Sequence, residues 1–250
     1  MWTSREMENC ASFLTGRDSQ DWRRVITSLE RTAGLLADQA ETIRRDVDTT
    51  SVAHVENAFP RWLCDIVDTG LRDDPRIVTE RVDTPNGRWS IDLIDNSYQP
   101  IGESDADDPF SVLCLSPAFT TFLADATGFT EKVVTTRRWV NRYAEGDAIA
   151  PHDDTTGDFQ VMICLSAPPS EFGGTLVLEN GTEVDLQQGS VLVMQHAGLV
   201  HWTTPIASGA PRPRATATCR YYVENGRLPH SKVLPHTVAG PRTGVRSGGA

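Results

Sequence analysis

Five short segments between residues 132 and 225 constrain this chain more than anything else in it. KVVTTRRWVNRY, FQVMICLSA, GGTLVLEN, SVLVMQH and ATATCRYYVEN are each rich in branched and aromatic residues, and proline, glycine or acidic turns separate them. The connections from Ser166 to Gly174 and from Glu179 to Gly189 are too short to hold a crossover helix, which parallel pairing would require. The strands are therefore expected to pair antiparallel. RIVTERV and RWSIDLID, earlier in the chain, can supply further strands.

Before Gly128 the pattern is helical. From Asp21 to Asp46, Trp22, Val25, Ile26, Leu29, Leu35, Leu36 and Ile43 recur among charges at roughly helical spacing, with Asp18 or Ser19 available as a cap and Gly34 weakening continuity. A second helix is expected over Ala58 to Thr69, starting near Pro60, and a third over Pro117 to Ala126. Residues 100 to 109 read as a solvated acidic loop. The expected fold is α+β, a mostly antiparallel double-layered sheet with N-terminal helices packed outside it. The expected organisation is a single domain over 1–250. Residues 1–127 form helical support with early strands, 128–225 a barrel core and 226–250 a C-terminal extension, frayed at GPRTGVRSGGA.

A chain of 250 residues with 39% hydrophobic content can fill one good-sized core. No stretch is apolar enough to cross a membrane and MWTSREMENC lacks a secretory pattern, so the expectation is a soluble cytoplasmic protein. The five cysteines lie far apart, with no CxxC pair to suggest a structural zinc or redox site. A net charge of −11 argues against a nucleic-acid partner, although the C-terminal region is locally basic. The G-x-S-x-G elbow of a serine hydrolase and the glycine loops of dinucleotide and nucleotide sites are all missing from the sequence.

PHDDTTG, residues 151 to 157, carries the chemistry. In a strand or at its end, residues two apart project to one side, so His152 and Asp154 can converge while Asp153 points away. One imidazole and one carboxylate fill two positions of the facial triad that suits non-haem Fe(II). The third ligand must come from elsewhere, and His196 and His201 are the candidates. His201 is favoured, because HWTTP follows the apolar SVLVM strand where the chain can turn back across a barrel mouth.

The wider pattern resembles the iron(II)/2-oxoglutarate-dependent dioxygenases, in particular their prolyl-hydroxylase-like branch. The matching pieces are NRYAEGDAIAPHDD, FGGTLVL, QGSVLVM and HWTTPIASGAPRPR, spread over about residues 133 to 222. The resemblance implies a double-stranded β-helix, a jelly-roll or cupin-like barrel. It implies iron held by His152, Asp154 and His201, with 2-oxoglutarate and O2 as cosubstrates. It also implies a basic residue after the last histidine for the far carboxylate of 2-oxoglutarate.

Arg212 and Arg214 both stand later than the family spacing. Arg214 is favoured because it opens ATATCRYY in register with Thr216 and Thr218, where its fork can bind a carboxylate through two charge-assisted hydrogen bonds. The family's tyrosine on the strand after the iron motif is missing, with Ile163 near its position, so Tyr143 or Thr216 is expected to supply a hydroxyl. Asn141 and Trp202 are weaker candidates to touch substrate; Trp139 and Phe159 are further aromatics that could line the pocket.

The implied activity is hydroxylation of an unactivated C–H bond in a small molecule such as an amino acid. Retention of Asp154 argues against halogenation. Two other readings stay open: a cupin-type metal oxygenase or isomerase, and a noncatalytic barrel that binds a partner.

Overall fold

Every residue of the last strand, Arg214–Val223, is buried, yet its chemistry alternates. Ala215, Ala217, Cys219, Tyr221 and Val223 join the core beneath the helices. Arg214, Thr216, Thr218 and Arg220 face the other way, into a cavity. A strand shows alternate side chains to its two faces, so one segment can seal a hydrophobic core and line a polar chamber together.

The computed structural model describes residues 22–100, 108–130, 132–154, 156–195 and 199–224, with the side chains of 95–100, 134 and 135 left aside. The proposed caps Asp18 and Ser19, residues 101–107 of the acidic loop, His196 and the C-terminal extension lie outside the described residues.

The strands are β1 (Val52–Val55), β2 (Val78–Thr84), β3 (Gly87–Pro100), β4 (Val133–Tyr143), β5 (Ala148–His152), β6 (Phe159–Ser166), β7 (Leu176–Leu178), β8 (Glu183–Val184), β9 (Val191–Gln195), β10 (His201–Thr203) and β11 (Arg214–Val223). All ladders between them are antiparallel, in the order β1-β9-β6-β11-β4-β3-β5-β10-β7-β8, with β2 added on β3. The path bends from the large sheet to the small one where Gly87 and Arg88 of β3 meet Ile149 and Ala148 of β5. Met162, Cys164, Leu192 and Met194 of the large sheet pack against Leu176, Leu178, Val184 and Leu186 from the small one. Two antiparallel layers closed around this inner core form the nearly closed jelly-roll expected above.

The helices cover the outer face of the large sheet. They are α1 (Trp22–Asp38), α2 (Ala40–Thr50), α3 (Arg61–Asp73), α4 (Pro109–Leu115) and α5 (Pro117–Thr127). Val25, Ile26, Leu29 and Leu36 of α1 and Ile43 and Val47 of α2 are buried against it. The break in the long helical pattern falls at Gln39, and Gly34 lies within α1.

Helix α4, which the sequence reading did not anticipate, begins where the expected acidic loop ends: Asp108 caps it by accepting from the Ser111 N–H at 2.9 Å, and its seven residues are buried. Ser116 caps α5 in the same way through Phe119, and Gly128 ends that helix in the left-handed region at φ 70°. Each such cap is worth ~1 kcal/mol. Among the described residues no single helix is long and apolar enough to cross a membrane.

Candidate metal centre

His152 ends β5 and His201 begins β10, and the two pair directly across the antiparallel ladder. Their rings lie 4.5 Å apart between centroids. Asp154, two residues beyond His152, brings a carboxylate oxygen to 3.8 Å from His201 Nε2. The ligand atoms of the three residues all fall within 4.8 Å of one another, close enough to share one ion.

The rings are oriented by their own strands. His152 Nδ1 lies 2.8 Å from the Ala150 carbonyl oxygen and His201 Nδ1 lies 3.0 Å from that of Leu199. A carbonyl only accepts, so each Nδ1 carries its proton and each Nε2 presents a lone pair to the shared point. Burial lowers the His201 pKa below its ordinary value, outweighing the opposite pull of Asp154. The donor set is thus two imidazoles, each presenting Nε2 and the His201 ring held neutral, with one carboxylate. It fits a non-haem Fe(II) ion with open positions.

Further along the barrel, Arg214 is buried beneath the small sheet. One of its amino groups donates to the Gly174 carbonyl, and its guanidinium lies 5.4 Å from the centre of the Tyr143 ring. Its Nε is buried without a partner, and no carboxylate pairs with it among the described residues. A buried cation left this way is a seat for an incoming anion. Tyr143 is hydrogen-bonded to the Thr203 side chain, and burial raises its phenol pKa despite the nearby Arg214.

Gly173 and Gly174, at φ 78° and 79°, make this seat possible. A Cβ on Gly174 would lie 2.6 Å from Ile206 Cδ1 and 3.3 Å from Arg214 Cδ, and one on Gly173 would collide with the Pro205 carbonyl oxygen.

One cavity of about 660 Å³ contains the triad, Arg214, Tyr143, Asn141 and Thr216. Three expectations need correction. Arg212 is exposed in the turn before β11 and does not line the cavity, because the strand and its inward alternation begin at Arg214. Trp202 alternates with the inward His201 and Thr203, so its side chain leaves the cavity. On β6 the same rule turns Ile163 and Phe159 toward the helices and gives the cavity Met162 and Gln160.

Arg137 escaped the sequence reading, and Arg220 entered it only as one of the basic residues of the C-terminal region, solvated or facing an anionic small substrate. Arg220 donates to Asp154 Oδ2 at 2.7 Å, and Arg137, its cross-strand partner on β4, also lines the cavity. The signal was present in the spacing. Arg220 stands six residues after Arg214, and Arg137 stands two before Trp139, each an even step that keeps the same face.

No family model and no curated protein match the sequence. Solved structures match the fold. An oxidoreductase of the 2OG-Fe(II) oxygenase family from Burkholderia pseudomallei is 17% identical, with 76% of this chain and 93% of that chain aligned at a TM-score of 0.57. A prolyl hydroxylase from Trichoplax adhaerens, solved with a hypoxia-inducible-factor peptide, is 15% identical over 78% and 93% at 0.59. SnoN, a non-haem α-ketoglutarate-dependent epimerase of nogalamycin biosynthesis, is 15% identical over 82% and 92% at 0.58. In fold this chain is similar to solved iron(II)/2-oxoglutarate oxygenases, prolyl hydroxylases among them, and it brings two histidines and one aspartate together.

Proposed function

We propose that the protein is an iron(II)- and 2-oxoglutarate-dependent oxygenase acting on a C–H bond of a small polar molecule, with free amino acids the leading substrate class. The observation that carries this reading is one cavity holding a two-histidine, one-carboxylate cluster together with a buried arginine that lacks an anion. Its volume of about 660 Å³ suits a cosubstrate and a small substrate together.

His152, Asp154 and His201 would hold the metal. Bound iron, with 2-oxoglutarate and O2, supplies oxidising power that no side chain here possesses, 2-oxoglutarate leaving as succinate and carbon dioxide while the substrate gains hydroxyl. The protein's part is placement. Arg214 receives the far carboxylate of 2-oxoglutarate through its planar fork, and Tyr143 and Thr216 stand on the same cavity wall with hydroxyls available to it. The two backbone carbonyls keep Nε2 of each histidine turned to the metal. Retention of Asp154 favours hydroxylation over halogenation, which needs the carboxylate's position for halide.

Binding tests the assignment without turnover. Anaerobic, Fe(II)-loaded protein is expected to bind 2-oxoglutarate with a new visible absorption band. Arg214→Gln should weaken that binding about 100-fold, the loss of a charge-assisted fork in a buried site. Equal binding by wild type and this variant would remove Arg214 from the site. Failure of folded wild type to take up both iron and 2-oxoglutarate would return the barrel to the cupin-type and noncatalytic readings.

A further inference from the structure

The last strand reaches the candidate site at both of its ends. Arg214 opens β11, and Arg220, six residues on and facing the same way, donates to Asp154 Oδ2 at 2.7 Å. The two side chains are 5% and 19% exposed, so solvent screens their attraction less than it would on the surface.

Of the three clustered ligands, Asp154 is the one outside a strand. His152 ends β5 and His201 begins β10, whereas Asp154 follows the end of β5. Each histidine ring is oriented by the carbonyl two residues before it. The Asp154 carboxylate is gripped from the opposite sheet.

Thr156, Gly157 and Gln160 gather around the same arginine. Thr156 Oγ1 and Gln160 Oε1 lie 3.5 and 3.4 Å from its guanidinium nitrogens, and the Trp139 ring centre lies 5.1 Å from its guanidinium carbon. Gly157, at φ 85°, passes against the stem, where a Cβ would lie 2.6 Å from both Cγ and Cδ. Its left-handed backbone and this close approach both call for glycine. One residue further, the Asp158 N–H donates to the Tyr221 carbonyl at 3.0 Å, and Asp158 Oδ2 accepts from the Val223 N–H at 3.0 Å. β11 thus holds Asp154 through the Arg220 side chain and Asp158 through its own backbone.

We infer that Arg220 is a positioning residue for the metal, fixing the Asp154 carboxylate beside His152 and His201 before an ion arrives, and that Gly157 is what lets it come close enough. The inference deepens the oxygenase reading and rests on it. Two effects of a guanidinium at a metal ligand oppose each other. Its charge repels a cation and draws on the carboxylate, which weakens metal binding; its hydrogen bond holds the carboxylate in one orientation, which strengthens it. The second effect prevails for groups that hydrogen-bond to metal ligands, since losing one typically costs about 10–100-fold in affinity.

The test is equilibrium dialysis of metal-free protein against Fe(II) under argon, with a melting curve for each variant. Arg220→Met keeps an unbranched stem against Trp139 and removes the donor, so Fe(II) should bind about tenfold more weakly. Arg220→Lys restores one donor without the planar fork and should recover part of the loss. Gly157→Ala keeps the charge but pushes the arginine aside. It should weaken Fe(II) by a similar factor, and the double variant Gly157→Ala with Arg220→Met should bind no more weakly than Arg220→Met alone, because both changes break one contact. A purely structural role would lower the melting temperature and leave the Fe(II) dissociation constant of folded protein where it was. Unchanged or tighter Fe(II) binding by Arg220→Met, or Arg220→Lys binding no better than Arg220→Met, would overturn the positioning role. Additive losses in the double variant would overturn the part given to Gly157. If Arg220→Met does not fold, Arg220→Lys and Gly157→Ala carry the test, and wild-type affinity in both overturns the inference. These results with Fe(II) bound to wild type count against Arg220 alone; failure of folded wild type to bind Fe(II) would bring down the metal centre and the inference with it.

Discussion

At the scale of single residues, two backbone carbonyls decide what His152 and His201 can do. Fixing each Nδ1 as a donor leaves Nε2 as the only ligand atom, and Asp154 completes the set from the segment just past the strand end. Removing any one ligand by His152→Ala, Asp154→Ala or His201→Ala is expected to lower Fe(II) affinity by at least about 100-fold, since two donors hold such an ion poorly. Equilibrium dialysis against Fe(II) under argon checks this. Gly174→Ala tests the Arg214 seat from the other side. A Cβ there meets Ile206 and presses on Arg214 at a left-handed backbone position, so 2-oxoglutarate binding should weaken while the metal site, carried by β5 and β10, keeps its affinity.

Among the elements, the β2–β3 hairpin is tied to the turn that launches β5. Asp147 is buried in that turn and accepts from Arg81 of β2 at 2.6 and 2.5 Å, from Arg88 of β3 at 3.1 Å and from the Ala144 N–H at 2.9 Å. Burial alone would raise its pKa, but the hydrogen bonds from Arg81, Ala144 and Arg88 prevail and hold it below the usual carboxylate value. Asp147→Ala should cost about 2 kcal/mol, the loss of charge-assisted hydrogen bonds to two half-exposed arginines, and lower the melting temperature by roughly 4–8 °C.

The sign of the pH effect follows from the depressed pKa. The stabilisation is complete above the unfolded value near ~3.9 and is lost as pH falls through the lower folded value. The stability gap between wild type and Asp147→Asn, read from urea melts, should therefore narrow below about pH 4.

Sequence reading recovered the long elements because their runs are chemically strong. It missed β1, which has four residues, and it saw β5 only as a strand or strand end around His152, because Pro151 weakens the strand pattern. It placed Ile163 near the position of the family's tyrosine, whereas Met162 is the neighbouring β6 residue that meets the cavity. Phe159, Val161, Ile163 and Leu165 are apolar, and so are Met162 and Cys164, so the β6 segment alone does not say which face meets the helices.

For the molecule as a whole, two buried layers explain why the strands read as nearly continuous apolar runs. One core lies between helices and large sheet, the other between the two sheets. The ligands were legible from the spacing of PHDD and the later HWTTP, whereas the Arg137–Arg220 pairing belongs to the cross-strand register and appears only in the folded chain.

Four cysteines are sealed in these cores. Burial pushes the Cys64 and Cys114 thiols well up and that of Cys164 to about 12. Cys64, Cys114, Cys164 and Cys219 should stay unmodified by a thiol reagent until the protein unfolds, as mass spectrometry of native and denatured samples would show.

The central claim is that the triad and Arg214 serve one oxidative reaction. Its most direct test is succinate formation from 2-oxoglutarate when O2 is admitted to anaerobic, Fe(II)-loaded protein, with a panel of free L-amino acids present. The account predicts oxygen-dependent succinate from wild type and none above background from Asp154→Ala or Arg214→Gln. Folded, iron-loaded wild type that makes no succinate with any member of the panel would contradict it.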